Sequence, residues 1–333
     1  MKSILKSIFP NCFFLILFGI LPAIFLQARG ANDGAKELTI YSLKGPSGVG
    51  MIRLFEEPPI IPGFNVKVEA LAQADLLAAR FISGEAKIGI LPPNMAAKIA
   101  ASGEDIRSAA VIGAGMLSLL SSDPGVRSIL DLNGKTVELV GQGATPDFVF
   151  QKILRSNGLT PNNDVALGYS LAYPEVVQAL VAGRVSTALL PEPFTSMALA
   201  GRPDLRFVAD IQEEWVKADG RLGRNSGNYP MTLLVVDGLL ASTNRLAVDE
   251  IIRAVKNSIE WVKAHPAEAG ILVEKHELGL KADIVATAVP KSNYVFIPAQ
   301  EARPSLESLF KVFLEYAPAS IGGALPEDRF YLK

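Results

Sequence analysis

One local pattern recurs along this chain: a short apolar strand, a turn rich in glycine or proline, and the start of a helix. It is clearest at residues 136–156, where a β-branched run leads into the turn at residues 141–146 and a helical pattern begins near Phe148. The same order of features opens at residue 37. Such repetition predicts an α/β fold in which helices pack against the sheets.

The two halves of the chain also share a short near-repeat. Residues 88–102 read IGILPPNMAAKIAAS and residues 187–201 read TALLPEPFTSMALAG, with Leu91-Pro92 and Leu190-Pro191 in register. Asn94 is expected to cap the short helix that follows the first Leu-Pro pair and runs to about Ala101. Because both halves have the same order of strand, turn and helix, the sequence predicts two α/β lobes. The alternative is that two helices preceded by proline are alike only in composition.

The first half ends at the break Asp123-Pro124-Gly125, and a strand running back is expected near Tyr229. Residues 219–228 are expected to form a polar loop, and the chain after the returning strand to be mostly helical. Open α/β sheets bind ligands at the carboxyl ends of their strands. If the lobes face each other, the turns at residues 44–50, 92–95, 141–146 and 191–194 converge on one cleft.

The turn at residues 141–146 is a candidate ligand site in its own right. Thr145 is expected to cap the helix, with Pro146 at the first helical position, where a missing N–H costs nothing. The N–H groups at such a helix start can bind an anion or a polar ligand atom. Gly143 occupies a position where a positive φ or a close ligand approach is expected. The competing interpretation is a routine strand-to-helix turn that binds nothing.

The first thirty residues have the pattern of a secretory signal peptide. Lys2 and Lys6 precede an apolar run at residues 12–26, and small residues follow it. The run is shorter than the ~18 residues of a spanning helix. Cleavage between Gly30 and Ala31 is therefore favoured over an uncleaved membrane anchor, and we expect export to the periplasm.

The charge balance and the cysteine content argue against several classes of function for this protein. Loss of residues 1–30 removes three basic residues and no acidic one, which leaves 29 basic and 34 acidic residues and a net charge of −5. This balance argues against nucleic acid and against an anionic membrane surface as partners. Cys12 would leave with the signal, so neither disulfides nor thiol chemistry are expected. Cys12 also precedes the apolar run, whereas a lipoprotein cysteine would follow it.

Residues suited to catalysis or metal binding are scarce. His265 and His276 fall in the helical C-terminal part, far from the four turns, which disfavours a metal site or a histidine-based active site. No phosphate-loop motif follows a Gly-rich turn, and no cofactor is expected. Lys44 and Glu192 are the ionisable cleft residues, and by themselves they do not form an acid–base pair.

The chain resembles the periplasmic substrate-binding proteins of ABC importers, of the nitrate/sulfonate/taurine (NitT/TauT) type. The resemblance rests on GQGATPDFVF, the two Leu-Pro turns, LDLNGKTV at residues 130–137 and VKAHPAEAGILVEK at residues 262–275. Thiamine-pyrimidine binding proteins are among the relatives. The resemblance covers residues 36–320 and implies the type II periplasmic binding fold, with two hinge crossings between its lobes. Lobe 1 would then comprise residues 31–122 and 229–333, and lobe 2 residues 123–228.

In that family, the ligand residues lie in the same four turns. Carried over to this sequence, they are Lys44, Gly45, Pro46 and Ser47; Pro93, Asn94 and Met95; Gly143, Ala144 and Thr145; and Glu192 and Phe194. The turns contain no arginine, which counts against a strongly anionic sulfonate or nitrate. The cysteine cluster and histidines of thiamine-precursor synthases with this fold are absent.

The primary interpretation is a monomeric binding protein, not an enzyme. It would capture a small polar or aromatic metabolite between its lobes and deliver it to an ABC permease in the membrane. One alternative is an exported enzyme on the same scaffold, with Lys44 forming a Schiff base or Glu192 acting as a base. Another is a sensor subunit that presents its ligand to a receptor kinase.

Overall fold

The computed structural model of this protein describes residues 35–221 and 227–333. The expected signal segment and its cleavage position lie outside these residues. Within them, strands and helices alternate as the recurring strand–turn–helix pattern predicts, and they build two mixed β-sheets flanked by helices. The predicted two-lobed α/β fold is therefore confirmed.

The strands are short and largely apolar. In chain order they are β1 (Lys36–Leu43), β2 (Phe64–Leu71), β3 (Ile88–Leu91), β4 (Ile106–Ala114), β5 (Leu117–Ser121), β6 (Thr136–Glu138), β7 (Ala166–Gly168), β8 (Thr187–Pro191), β9 (Arg206–Asp210), β10 (Pro230–Asp237) and β11 (Tyr294–Pro298).

The helices flank these strands. They are α1 (Pro46–Val49), α2 (Arg53–Glu56), α3 (Ala74–Ile82), α4 (Pro93–Ala101), α5 (Thr145–Ser156), α6 (Tyr173–Val181), α7 (Phe194–Gly201), α8 (Ile211–Arg221), α9 (Gly238–Thr243), α10 (Arg245–Ala264), α11 (Pro266–Lys275), α12 (Ala282–Ala288) and α13 (Ala299–Tyr316).

The first sheet combines strands from both ends of the described chain. Its order is β11-β4-β10-β3-β1-β2, with β1 parallel to β2 and β3, and β10 antiparallel to β3 and β4. The central strand β3 is buried along its whole length, whereas the edge strand β2 alternates between half-buried and exposed residues. This contrast follows from covering both faces of a central strand and one face of an edge strand.

The second sheet lies in the middle of the chain, in the order β7-β6-β8-β5-β9. β6 is parallel to β7 and β8, and β5 is antiparallel to β8 and β9. β5 therefore belongs to the second sheet, although the lobe limits predicted from sequence place it before the boundary at residue 122. The limits remain a prediction, and the sheet membership of β5 favours moving the first one to the β4–β5 connection.

Two segments connect the sheets and bond to each other. The outgoing segment runs from β4 to β5, and the returning one enters β10. Gly115 donates its N–H to the Tyr229 carbonyl at 3.0 Å, and Leu117 donates its N–H to the Tyr229 hydroxyl at 3.2 Å. Gly115 has a φ of +53°, and a Cβ there would lie 2.3 Å from the Gln212 side chain. The outgoing segment therefore requires glycine at this position.

Helices α5 and α13 make a further contact between the lobes. Phe148 of α5 meets Phe313 of α13 edge to face, with ring centroids 5.2 Å apart, and its ring lies 6.3 Å from that of Tyr316. The Arg155 guanidinium stands 5.0 Å from the centre of the Tyr316 ring. The two lobes are thus joined by packed aromatic side chains as well as by the chain crossings.

Two elements differ from the sequence expectations. The helix α8, at Ile211–Arg221, was not predicted, and it extends into the expected polar loop at residues 219–228. β11 was not predicted either, because the chain after β10 was expected to be mostly helical. Both elements are held by tertiary packing: Trp215 of α8 and Tyr294 of β11 are buried.

Candidate functional site

The first predicted turn is anchored at both of its ends. Lys44 donates its N–H to the Leu71 carbonyl, and Gly45 donates its N–H to the Leu278 carbonyl, each at 2.8 Å. Gly45 has a φ of +83°, which suits glycine. The side chain of Lys44 is exposed. The backbone of this turn is therefore held at both ends, and the ammonium group of Lys44 is presented to solvent.

Hydroxyl groups gather around the helix α1 that follows this turn. Thr232 of β10 donates its hydroxyl to Ser47 Oγ at 3.4 Å, and the Tyr294 hydroxyl donates to the Pro46 carbonyl at 2.9 Å. Ser42 Oγ approaches the same helix, since a Cβ at Gly48 would lie 2.9 Å from it. Thr232 and Tyr294 were not among the predicted site residues. They were missed because β11 was not predicted and because Thr232 is an ordinary strand residue.

Helix α4 follows the second predicted turn, and Asn94 is not its N-cap residue as expected. Pro92 occupies the N-cap position in an extended conformation, and Pro93 is the first helical residue. Proline suits that first position because its nitrogen has no hydrogen to leave unpaired. Asn94 therefore lies inside the helix, and its Oδ1 is buried without a hydrogen-bond partner among the described residues. Met95 beside it is half-buried.

The third turn also departs from its predicted capping. Ala144 is the N-cap residue of α5, Thr145 is the first helical residue and Pro146 the second. The cap role predicted for Thr145 is wrong, because its own backbone is already helical. The Thr145 side chain is 1% exposed, and its Oγ1 is buried without a hydrogen-bond partner among the described residues.

Asp147 governs the shape of this turn. Its carboxylate accepts the N–H of Gly143 at 2.8 Å, the side-chain amide of Gln151 at 2.7 Å and the hydroxyl of Tyr169 at 2.6 Å. Gly143 itself is exposed and has a φ of +74°, as expected. Its N–H is engaged within the turn, however, which corrects the expectation that it is available to a ligand.

The fourth turn contains a buried carboxylate. Glu192 is 3% exposed, and it accepts the Ser196 N–H at 3.1 Å and the Ser196 hydroxyl at 3.0 Å, near the start of α7. Burial raises the pKa of the Glu192 carboxyl, while the hydrogen bonds from Ser196 and the charge of Lys291 oppose that shift. Phe194 stacks on Tyr173, with ring centroids 5.1 Å apart and ring planes 14° apart.

The first and fourth turns meet between the two sheets. Pro193 borders a small void together with Val49 at the end of α1 and with Tyr294 of β11. The void is too small to hold a water molecule. Burial raises the pKa of the Tyr294 hydroxyl, and the nearby Glu192 carboxylate raises it further. Residues from both lobes therefore adjoin where the strand ends of the two sheets come together.

Within residues 35–221 and 227–333, histidine, cysteine, aspartate and glutamate form no group that could hold a metal ion. In the same part of the chain, no helix is both long enough and apolar enough to span a membrane.

The fold has two mixed sheets, two chain crossings, and Gly- or Pro-rich turns where the strand ends of the sheets adjoin. These features define the protein as a member of the two-lobed, ligand-binding class of periplasmic proteins. The chain belongs to the family described as NMT1/THI5 like, whose model matches residues 63–269, more than half of the chain. No curated protein matches it.

Solved structures of ABC transporter components share this fold. An ABC transporter structure from Parabacteroides distasonis is 25% identical, with a TM-score of 0.76 over 90% of this chain and 99% of that one. The periplasmic aliphatic sulphonate binding protein of Escherichia coli is 16% identical, with a TM-score of 0.71 over 90% and 92%. The periplasmic nitrate-binding protein of Synechocystis PCC 6803 is 10% identical, with a TM-score of 0.59 over 85% and 82%. The predicted resemblance to ABC-importer binding proteins is confirmed.

Proposed function

We propose that this protein is the solute-binding component of an ABC importer. It is exported, loses its signal segment near Gly30 and Ala31, and acts in the periplasm as a monomer. There it captures a small polar or aromatic metabolite between its lobes and delivers it to a permease in the membrane. It has no catalytic role in this proposal.

The observation that carries the proposal is the meeting of the first and fourth turns. They belong to different sheets, yet Val49 and Tyr294 of one lobe adjoin Pro193 of the other. A molecule held at these strand ends contacts both lobes at once, and its binding energy favours their closure. This arrangement supports a ligand site at the first and fourth turns, which contain Lys44, Gly45, Pro46, Ser47, Glu192 and Phe194 of the residues carried over from the family resemblance.

Unpartnered polar atoms support the same location. Asn94 Oδ1, Thr145 Oγ1 and Ser42 Oγ are buried, and none has a hydrogen-bond partner among the described residues. Each such atom costs about 1–3 kcal/mol unless something bonds to it. Each of the three residues lies at or next to a predicted turn. A ligand with hydrogen-bond donors would remove part of that cost.

The side chains around the turns favour a polar or aromatic ligand. The aromatic pair Tyr173 and Phe194 and the hydroxyls of Ser47 and Thr232 supply stacking surface and hydrogen bonds. Lys44 is the one cationic residue in the proposed ligand set, and that set contains no arginine for a bidentate contact with a sulphonate or nitrate. Both anions nevertheless belong in a ligand screen because of the structural neighbours.

A thermal-shift screen of the exported protein against metabolites tests the proposal. A ligand that binds only the folded state raises the melting temperature, by mass action. We expect a polar or aromatic compound to do so and a matched Thr145→Val variant to respond less. A screen without any responsive compound, together with a preparation from which no small molecule is released, would contradict the proposal.

A further inference from the structure

A buried ion pair joins two helices of the second lobe. Lys152 of α5 pairs with Asp219 of α8, and the two side chains are 5% and 2% exposed. The Lys152 ammonium also lies 3.5 Å from the centre of the Trp215 ring, which is one helical turn before Asp219 on α8. Neither member of the pair belongs to the four predicted turns, so ligand contact does not explain it.

The stability that such a pair provides does not explain it either. Removing two charges from water costs about as much free energy as their attraction returns, and apolar side chains of similar volume often stabilise a core equally well. A buried pair differs from an apolar contact in another respect. Any slide of one helix along the other separates the charges and leaves both unpaired in the interior. The pair therefore restricts α8 to one position against α5.

Helix α8 in turn holds the returning chain crossing. The Trp215 ring packs against the Tyr229 ring, with centroids 5.5 Å apart. Gln212 of the same helix accepts the Tyr229 N–H at 3.2 Å and donates its side-chain amide to the Gly227 carbonyl at 3.3 Å. Two side chains of α8 thus contact the residue from which the chain enters β10.

Tyr229 is also the residue at which the two crossings bond to each other. Its carbonyl accepts the Gly115 N–H, and its hydroxyl accepts the Leu117 N–H of the outgoing segment. The Tyr229 side chain is fully buried in close-packed surroundings. A displacement of Trp215 would therefore move the hydroxyl to which Leu117 donates.

Helix α5 connects the same ion pair to the third turn and to the first lobe. It begins at Thr145, about two helical turns before Lys152. Between these residues, Phe148 packs edge to face against Phe313 of α13. The ion pair thus lies where a helix that contacts both the third turn and lobe 1 meets the helix that holds the crossings.

We propose that Lys152 and Asp219 are positioning residues that set the angle between the two lobes. They hold α8 against α5, and α8 holds Tyr229 at the crossings. Their use in solute capture rests on the proposed import function: a hinge of defined geometry reduces the conformational entropy that is lost when the lobes close on a solute.

The distance between the lobes, measured without any added solute, tests the proposal. The full chain carries Cys12→Ala, which removes its one native cysteine. Spin labels are attached through Ala79→Cys on α3 of lobe 1 and Gln178→Cys on α6 of lobe 2, both at exposed positions. Double electron–electron resonance then gives the distribution of distances between the two labels.

The decisive variant replaces the ion pair by two apolar side chains, Lys152→Met with Asp219→Leu. Both charges are removed together because the loss of one would leave the other buried and unpaired. The matched control is Lys256→Met with Glu260→Leu, which makes the same chemical change at an exposed pair on α10, 3.9 Å apart. Urea denaturation of each variant shows whether it is folded and how stable it is.

We expect the distance distribution to become about twice as wide in Lys152→Met/Asp219→Leu, because α8 then occupies several positions against α5. The denaturation midpoint of this variant should not fall. The control pair should match the parent protein in both measurements. A parent-like distribution, whether or not the midpoint changes, would assign the ion pair to stability alone and overturn the proposal.

A second variant acts from the crossing and leaves the buried charges in place. Tyr229→Phe keeps the ring against Trp215 and removes the hydroxyl that accepts the Leu117 N–H. It should also widen the distribution, and an unchanged distribution would overturn the proposal even if Lys152→Met/Asp219→Leu did not fold. Because neither measurement uses a ligand, the import proposal is decided separately by the thermal-shift screen.

Discussion

The carboxylate of Asp147 accepts the backbone N–H of Gly143 at 2.8 Å, and so closes the turn between β6 and α5 on itself. The same carboxylate is 2% exposed and also accepts hydrogen bonds from Gln151 and Tyr169. The shape of the third turn is thus fixed from within the second lobe. If the third turn binds a ligand as proposed, we expect the contact at the unpartnered hydroxyl of Thr145 rather than at the N–H of Gly143.

Replacement of Asp147 by Ala should lower the free energy of unfolding by about 1–3 kcal/mol, because three donors lose a shared, buried acceptor. Urea denaturation measures the change. Asp283→Ala is the matched control in the first turn of α12, where the carboxylate is exposed. It should change stability by no more than about 0.5 kcal/mol. Equal losses in the two variants would contradict the role assigned to Asp147.

Thr145→Val should separate stability from binding. Valine keeps the shape of threonine but lacks the buried hydroxyl, so the free energy of unfolding of the ligand-free protein should stay the same or rise. Affinity for the ligand found by screening should fall by about 1–3 kcal/mol, because a polar ligand atom loses its partner. Calorimetric titration and urea denaturation measure the two effects. A less stable variant with unchanged affinity would show that the hydroxyl has a structural role only.

Tyr294→Phe should weaken the first turn. The variant loses the hydrogen bond to the Pro46 carbonyl, which is worth about 0.5–1.5 kcal/mol of stability. Ligand affinity should fall with it, since the turn is then held less firmly. Tyr331→Phe is the matched control, because the Tyr331 hydroxyl is buried without a partner among the described residues. Its removal should be neutral or stabilising, and a loss equal to that of Tyr294→Phe would refute this account.

The buried carboxyl of Glu192 should make stability depend on pH. Burial raises its pKa in the folded protein above the ordinary value of 4.5, so the folded state holds this proton more tightly than the unfolded chain does. The destabilisation caused by ionising this buried carboxyl is therefore absent well below its ordinary pKa. It grows as the pH rises through the folded-state pKa. Glu192→Gln lacks the charge.

The stability of Glu192→Gln relative to the parent protein should therefore increase between about pH 4 and about pH 7. Urea denaturation across this range provides the measurement. A difference that stays constant, or that decreases with pH, would mean that burial does not control the titration of this group.

The sequence predicted the elements whose local signals agree with their tertiary environment. β3 is a continuous apolar run, and it is the fully buried central strand that such a run favours. β11, at Tyr294–Pro298, was missed because it forms by pairing with β4, far away in the sequence. The starts of α4 and α5 were found, but the caps assigned to Asn94 and Thr145 were wrong, since cap positions depend on backbone angles that residue type does not determine.

In the candidate site, too, the sequence predicted the features that local signals determine and missed those that depend on tertiary contacts. Glycine- and proline-rich turns located the strand ends, because these residues carry local conformational signals. Thr232 joined the hydroxyl group around Ser47 only through sheet pairing, which brings residues 185 positions apart into contact. The engagement of the Gly143 N–H by Asp147 likewise depends on side-chain direction, which spacing alone does not reveal.

The central claim, capture of a solute between the two lobes, is tested most directly by hydrogen–deuterium exchange with and without the ligand identified by screening. The account predicts that ligand slows exchange at the same time in the turns after β1 and β3 of the first sheet and after β6 and β8 of the second, because closure covers all of them. Slowed exchange confined to the turns of one sheet, or found only at surfaces away from the strand ends, would contradict it.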